Sequence, residues 1–249
     1  MSAPATAPLT IDLPVPARAL AIGAHPDDVE FGCGATLAKW SGSGSDVQLL
    51  VLTDGSKGSW DPDTDVAELA EIRRAEQRAA ADTLGIGAVH FFDAVDGELD
   101  HDRGMRERVC EVIRAVRPNV VLGHDPWKRY RLHPDHVHAG QLAIDGIVAA
   151  RDPHFFPGSG PPHRPDGLLL FEAEVIDHVE DVSSSLDVKI AALFAHLSQW
   201  QSTMGIEADG PDAEAQRSDF VRRVRDEAAG AGALAGLAFG EAFKLLTDL

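Results

Sequence analysis

The sequence predicts an α/β fold: a Rossmann-like, mainly parallel sheet with helices on both faces. Three observations carry that expectation. Apolar runs alternate with segments of helical periodicity, the pattern of βαβ units. The chain has 249 residues, a normal length for one α/β domain, and 44% of them are hydrophobic, enough for a sizeable core. Two His/Asp clusters each follow an apolar run, where the carboxyl ends of parallel strands would gather them. No internal repeat or clear linker occurs. Residues 1–249 are therefore read as one domain, with 1–17 as a loose, proline-rich N-terminal arm.

Ala19–Gly23 reads as the first buried strand. A helix starts at Asp28, with Val29, Cys33, Leu37 and Trp40 near helical spacing, and Ser41-Gly42-Ser43-Gly44 ends it. Val47–Leu52 is a second strand, and Thr53–Pro62 a polar loop. Val66–Leu84 reads as a long helix with Leu69, Ile72, Ala79, Ala80 and Leu84 as its apolar stripe and Gly85 just past its end. Val89–Phe92 is a short strand, Gly104–Val116 a helix stopped at Pro118, and Val120–Leu122 a strand leading to the second cluster. Asp135–Ala150 is helical. Arg151–Gly167 has no periodicity and reads as a long loop bordering the cleft. Leu168–Phe171 and Glu174–Ile176 read as strands, Ser183–Trp200 as an amphipathic helix, Ile206–Glu214 as a polar loop and Phe220–Ala228 as a helix. Gly230–Gly240 is a turn or a tightly packed small-residue stretch.

The formal charge is −18, from 22 Lys and Arg against 40 Asp and Glu. Such a surface repels phosphate backbones and anionic membranes, which argues against nucleic-acid binding. No apolar stretch approaches membrane-spanning length. Cys33 and Cys110 form no CxxC pair and read as buried thiols in a reducing compartment. The first residues lack a basic n-region and a long apolar h-region, so the expected location is cytoplasmic.

The clusters are His25-Pro26-Asp27-Asp28 and His133-Pro134-Asp135-His136. A catalytic zinc site keeps three protein ligands and an open position for water. His25, Asp28 and His136 supply two imidazoles and one carboxylate, a set that suits Zn²⁺ and also Fe²⁺ or another divalent transition metal. Asp27, beside a ligand, is then free to take a proton from the water, whose pKa a metal lowers to roughly 7. His133 can stabilise a tetrahedral oxyanion or protonate a leaving amine.

Structural alternatives exist for each residue. A lone His-Pro-Asp is commonly a turn capping a helix, and Asp135 can be only a first-turn residue. His101, His138, His154, His163 and His178 read as surface or loop residues and His90 as structural; His124 follows a strand end and reads as a loop residue, with a place near the site as the alternative. Gly32-Cys33-Gly34 lacks the third glycine of a dinucleotide fingerprint and lies inside the helix.

These residues resemble the LmbE-like, or PIG-L, family of zinc-dependent de-N-acetylases. The likeness rests on Ala24-His25-Pro26-Asp27-Asp28 with Glu30, and on His133-Pro134-Asp135-His136. Leu52-Thr53-Asp54-Gly55, Arg73-x-x-Glu76, Asp96-Gly97-x-Leu99, Lys189-x-x-Ala192, His196-x-Ser198-Gln199 and Glu241-Ala242-Phe243 extend it over about residues 18–245. It implies His25, Asp28 and His136 as metal ligands, Asp27 as general base and His133 acting on the oxyanion. Arg73 would hold sugar hydroxyls in the pocket and Asp96 would assist. Some relatives place a tyrosine shortly before the second His motif. Here the only tyrosine, Tyr130, has a different offset, so Trp127, Tyr130 and Arg131 are read as shaping a different sugar site. The implied reaction removes an N-acetyl group from an amino-sugar derivative, releasing acetate and a free amine; a homo-oligomer is also implied. Alternatives are an amidase for a larger sugar-linked amide, such as a thiol conjugate of mycothiol type, and a non-catalytic sugar- or metal-binding module. A two-metal phosphatase wants more carboxylates than these motifs hold.

Overall fold

The computed structural model describes residues 9–249. Its elements run β1 (Thr10–Ile11), β2 (Arg18–Gly23), α1 (Asp28–Gly42), β3 (Asp46–Thr53), α2 (Val66–Leu84), β4 (Ala88–Ala94), α3 (Arg103–Val116) and β5 (Val120–His124). They continue as α4 (Pro134–Arg151), β6 (Gly167–Phe171), β7 (His178–Asp181), α5 (Leu186–Phe194), α6 (Ala213–Ala233) and β8 (Gly240–Leu246). The strands form one sheet in the order β1-β7-β8-β6-β5-β2-β3-β4. Every pairing is parallel except the two made by β8.

Alternation along the central strands explains the layering. Leu20 and Ile22 face one core with Val109, Ile113 and Leu142 of α3 and α4. Ala19 and Ala21 face the other with Cys33, Leu37 and Trp40 of α1 and Ala80 and Leu84 of α2. Successive side chains of a strand point to opposite faces, so a strand covered on both sides reads as an unbroken apolar run. A third cluster joins α5 and α6 through Leu186, Leu193, Phe220 and Val224.

Several elements differ from the sequence expectation, each for a physical reason. The arm is not loose from residue 10 onward: β1 pairs with β7, and Asp12 and Leu13 reach the Lys39–Glu180 pair. Residues 1–8 of the expected arm lie outside the described residues. The strand expected at Glu174–Ile176 lies instead at His178–Asp181. Its polar letters hide it, because the buried His178 and Glu180 satisfy each other and Lys39. The expected helix Ser183–Trp200 stops at Phe194 and continues as a 3₁₀ turn, Leu197–Gln199, and a π-helical turn, Trp200–Met204. Glu76 accepts from both the Ser198 amide and its hydroxyl, drawing this segment out of helical register.

Gly230–Gly240 is the tightly packed alternative: a Cβ on Gly232 would lie 2.9 Å from the Leu237 carbonyl oxygen. The loop after α4 does not border the cleft. It follows the carboxyl end of an 18-residue helix whose amino end carries His133, a separation of about 27 Å. The buried Arg114 ties it down by donating to the carbonyls of Ala149, Ala150, Asp152, Phe155, Phe156 and Gly160. No helix among the described residues is long and apolar enough to cross a membrane.

Candidate metal centre and active-site cleft

The chain runs outward from β2 through β3 to β4 on one side, then returns to β5 and continues to β6 on the other. β2 and β5 are therefore neighbours that launch in opposite directions, and the crevice beyond their carboxyl ends is where an open α/β sheet places ligands. His25 leaves β2, His124 ends β5, and α4 begins at Pro134. The two distant clusters meet in this crevice.

Asp28 is the hub. Its Oδ2 lies 3.2 Å from His25 Nδ1 and its Oδ1 3.2 Å from His136 Nε2; the two nitrogens are 3.3 Å apart. Ligands on a tetrahedral zinc at bonds of 2.0–2.1 Å stand about 3.3 Å from one another. The donor set and its spacing thus fit a divalent transition metal. His25 Nε2 faces away, toward Asp135 Oδ2 and Asp96 Oδ1, each at 3.1 Å. Those carboxylates already accept from the Gly97, Leu99 and Lys57 amides. They orient the ring and select its tautomer, as carboxylate partners of metal-binding histidines do. Overlapping groups that could hold a cation include Asp28, His124 and His136 as well as His25, Asp96, His133 and Asp135. The Nδ1 side of His25 is the better candidate, because only Asp28 Oδ2 there accepts from a backbone amide, that of His25, and Asp28 Oδ1 faces His136 Nε2.

Charge follows from this packing. Burial disfavours the Asp28 carboxylate, but His136, His124 and His25 hold its pKa well below the usual range. Burial opposes a charge on His25 too, and Asp28, Asp135 and Asp96 outweigh it and raise its pKa well above normal. Asp27 is different. Burial pushes it up to about 6; Arg73 opposes that rise, while the neighbouring Asp28 adds to it. Asp27 has a positive φ of 89°, its amide donates to Gln77 Oε1, and its carboxylate lies 3.4 Å from Arg73 Nη2. It lines a cleft of about 470 Å³ together with His25, Asp28, His133 and His136.

The profile of the PIG-L family, described as GlcNAc-PI de-N-acetylase, matches residues 20–147, which include both clusters. The chain belongs to this family. It is 37% identical over 187 residues to the diacetylchitobiose deacetylase of Thermococcus kodakarensis, covering 74% of this chain and 70% of that protein. It is 32% identical over 166 residues to the 1D-myo-inositol 2-acetamido-2-deoxy-alpha-D-glucopyranoside deacetylase of Kineococcus radiotolerans, covering 54% of this chain and 46% of the relative. The structure of N,N'-diacetylchitobiose deacetylase from Pyrococcus horikoshii, complexed with its inhibitor MPG, superposes with a TM-score of 0.82 at 28% identity. That match covers 93% of this chain and 84% of the other.

The remaining residues of this PIG-L site fall into place differently from expectation. Arg73 lines the cleft but is buried, and its guanidinium donates to the carbonyls of Gly55 and Pro26. It braces the loop that carries Asp27, a positioning role that the expectation of sugar-hydroxyl binding did not include. Asp96 reaches the site through His25, with His133 Nε2 farther off at 3.9 Å. Tyr130 is 88% exposed and lies outside the cleft lining. Arg131 also lies outside that lining: it donates to Glu172 Oε2 at 2.6 Å and approaches His136 Nδ1 at 2.7 Å. A metal on His136 Nε2 puts the ring proton on Nδ1, which leaves Arg131 to Glu172 alone. Neither residue is among those that line the cleft.

Sequence reasoning missed three partners. His124 is buried, 3.2 Å from Asp28, and stacks on His136 with ring centroids 4.4 Å apart. Burial works against its charging, but Asp28 and Glu172 raise its pKa. Its place at a strand end was the available signal. Asp135 sits between the two histidines of the second motif, and only the fold shows it turning to His25. The buried Glu30, which accepts from Gln77 Nε2 at 2.6 Å and lies 3.6 Å from His196, backs the Asp27 loop.

Proposed function

We propose that this protein is a metal-dependent N-deacetylase of N-acetylglucosaminyl-type amino sugars, releasing acetate and a free amine. One observation carries the reading: three donors at tetrahedral spacing share a cleft with a buried carboxylate, Asp27, that no metal needs. The deacetylase names of the relatives above support it. Zinc is the proposed metal, held by His25, Asp28 and His136, because two imidazoles and one carboxylate suit it. A cytoplasmic location belongs to the same reading and accords with two buried free cysteines.

When bound, the metal supplies Lewis acidity to the attacking water and the acetyl carbonyl. Asp27 removes the water's proton and, with a pKa of about 6, returns it to the departing nitrogen. Burial lowers the pKa of His133, and the charges of His25 and His136 lower it further. The ring is therefore neutral and donates a hydrogen bond to the carbonyl oxygen as that oxygen gains charge.

The test is acetate release from N-acetylglucosamine derivatives, with a chelator and then zinc added back. Activity abolished by the chelator and restored by zinc supports the proposal. Tight sugar binding without acetate release would make the protein a binding module, and release of a larger acyl group would make it an amidase.

A further inference from the structure

Part of the cleft lining plays no part in the hydrolytic chemistry. It comes from the loop between β3 and α2, with Trp60, and from the segment holding Gln199, Ser202 and Thr203. Trp60 is 82% exposed while lining the cleft. An indole left in water at a cavity mouth forgoes the burial of a large apolar face, and such exposure marks binding surfaces.

The loop under Trp60 is anchored on both sides. Ser202 Oγ donates to the Gly58 carbonyl at 2.9 Å. Beyond Trp60, Ser59 Oγ pairs with Thr64 Oγ1 at 2.9 Å and accepts from the Asp61 amide at 3.1 Å. Gly58 is pressed so closely that a Cβ there would lie 2.5 Å from Arg73 Nη1 and 2.9 Å from Gln199 Nε2. Arg73 in turn touches Asp27. Trp60 lies two residues beyond Gly58, a chain span of at most about 7 Å, on the cleft wall that Arg73 and Asp27 also line.

The π-helical turn Trp200–Met204 brings the Ser202 and Thr203 side chains to the same lining. Turns of this kind concentrate at functional sites. An apolar ring face beside hydroxyl and amide groups matches a pyranose, which offers one face of C–H bonds and a rim of hydroxyls.

We propose that Trp60, with Ser202 and Thr203, forms a subsite for the pyranose attached to the sugar that loses its acetyl group. The preferred substrate is then an uncharged N-acetylated disaccharide or longer glycan, not a monosaccharide. The proposal rests on the amino-sugar reading of this cleft.

The test uses the full chain. N,N'-diacetylchitobiose and N-acetylglucosamine are titrated by calorimetry onto the metal-free protein, and acetate release is measured on the zinc-loaded protein. The wild type should bind the disaccharide at least about tenfold more tightly. Trp60→Ala should remove most of that preference, leave monosaccharide binding within about twofold, and raise KM with little change in kcat. Trp60→Phe should retain most of the preference. Equal effects of Trp60→Ala on both sugars, or none on either, overturn the subsite. Acetate release with a Trp60-independent preference sinks the subsite and keeps the deacetylase. Trp60-dependent disaccharide binding with no acetate release does the reverse.

Discussion

Asp27 is held in a left-handed backbone conformation that Asp tolerates better than bulkier residues. Its carboxyl, at about 6, is charged only above that pH. The rate of acetate release should therefore rise with pH through about 6 and level off, which a pH–rate profile reads directly. Asp27→Asn should cut kcat by about 10²–10⁴-fold, with zinc content by elemental analysis unchanged. Stability runs the other way. The folded value lies above the unfolded one of about 3.9, so the native state holds the extra proton and loses about 3 kcal/mol as pH rises through that window. Metal-free Asp27→Asn should thus melt no lower than wild type at pH 7.5; a Tm several degrees lower would contradict a buried charge at this position. Asp135→Ala frees His25 Nε2 of one partner and leaves the Gly97 and Leu99 amides without theirs. Zinc affinity should fall about 10–100-fold, measured by competition with a chromophoric chelator.

Helix α2 shows where element-scale reading succeeds and where it stops. Its bounds and its left-handed Gly85 terminus match the sequence expectation. Its inward face matches in part: Leu69, Ala80 and Leu84 are buried, but Ile72 is 42% exposed, whereas Arg73, Glu76 and Gln77 are buried. Those polar groups lie at i, i+3 and i+4 and serve the Asp27 loop and Ser198. Hydropathy periodicity places apolar letters inside, so a functional polar face reverses the inference. The same blindness hides β7, whose buried charges neutralise one another. Arg114 is the counterpart in the loop after α4. Arg114→Ala takes a buried donor away from the Ala149, Ala150 and Phe156 carbonyls, which keep the Asp152, His163 and Ser159 amides, and should cost about 2 kcal/mol in denaturant unfolding. Zinc stoichiometry should stay unchanged, because that loop lies at the far end of α4.

At the scale of the whole molecule, the sheet's layout made the site legible. The parallel core and the first cluster could be read from local letters, since the central strands are unbroken apolar runs and His25-Pro26-Asp27-Asp28 directly follows one. The orientation of Asp135, the approach of His124 and the return of β8 depend on chain separated by tens of residues, which no local pattern carries. Because the proposed donors come from both sides of the sheet's switch point, a metal held by them would bind only the assembled form, and adding zinc should raise Tm in a concentration-dependent way. Helix α1, which carries Asp28, is kinked at Cys33, where φ is −152°. Glu241 of β8 accepts from the Ala35 and Thr36 amides beyond the kink and pairs with Lys189, whose ammonium also reaches the Phe31 carbonyl. A nascent chain therefore displays all three proposed donors once residue 136 has left the ribosome, yet the helix that aims Asp28 waits for a clasp more than a hundred residues later in synthesis. Hydrolytic competence should arrive late and abruptly, once β8 has joined the sheet.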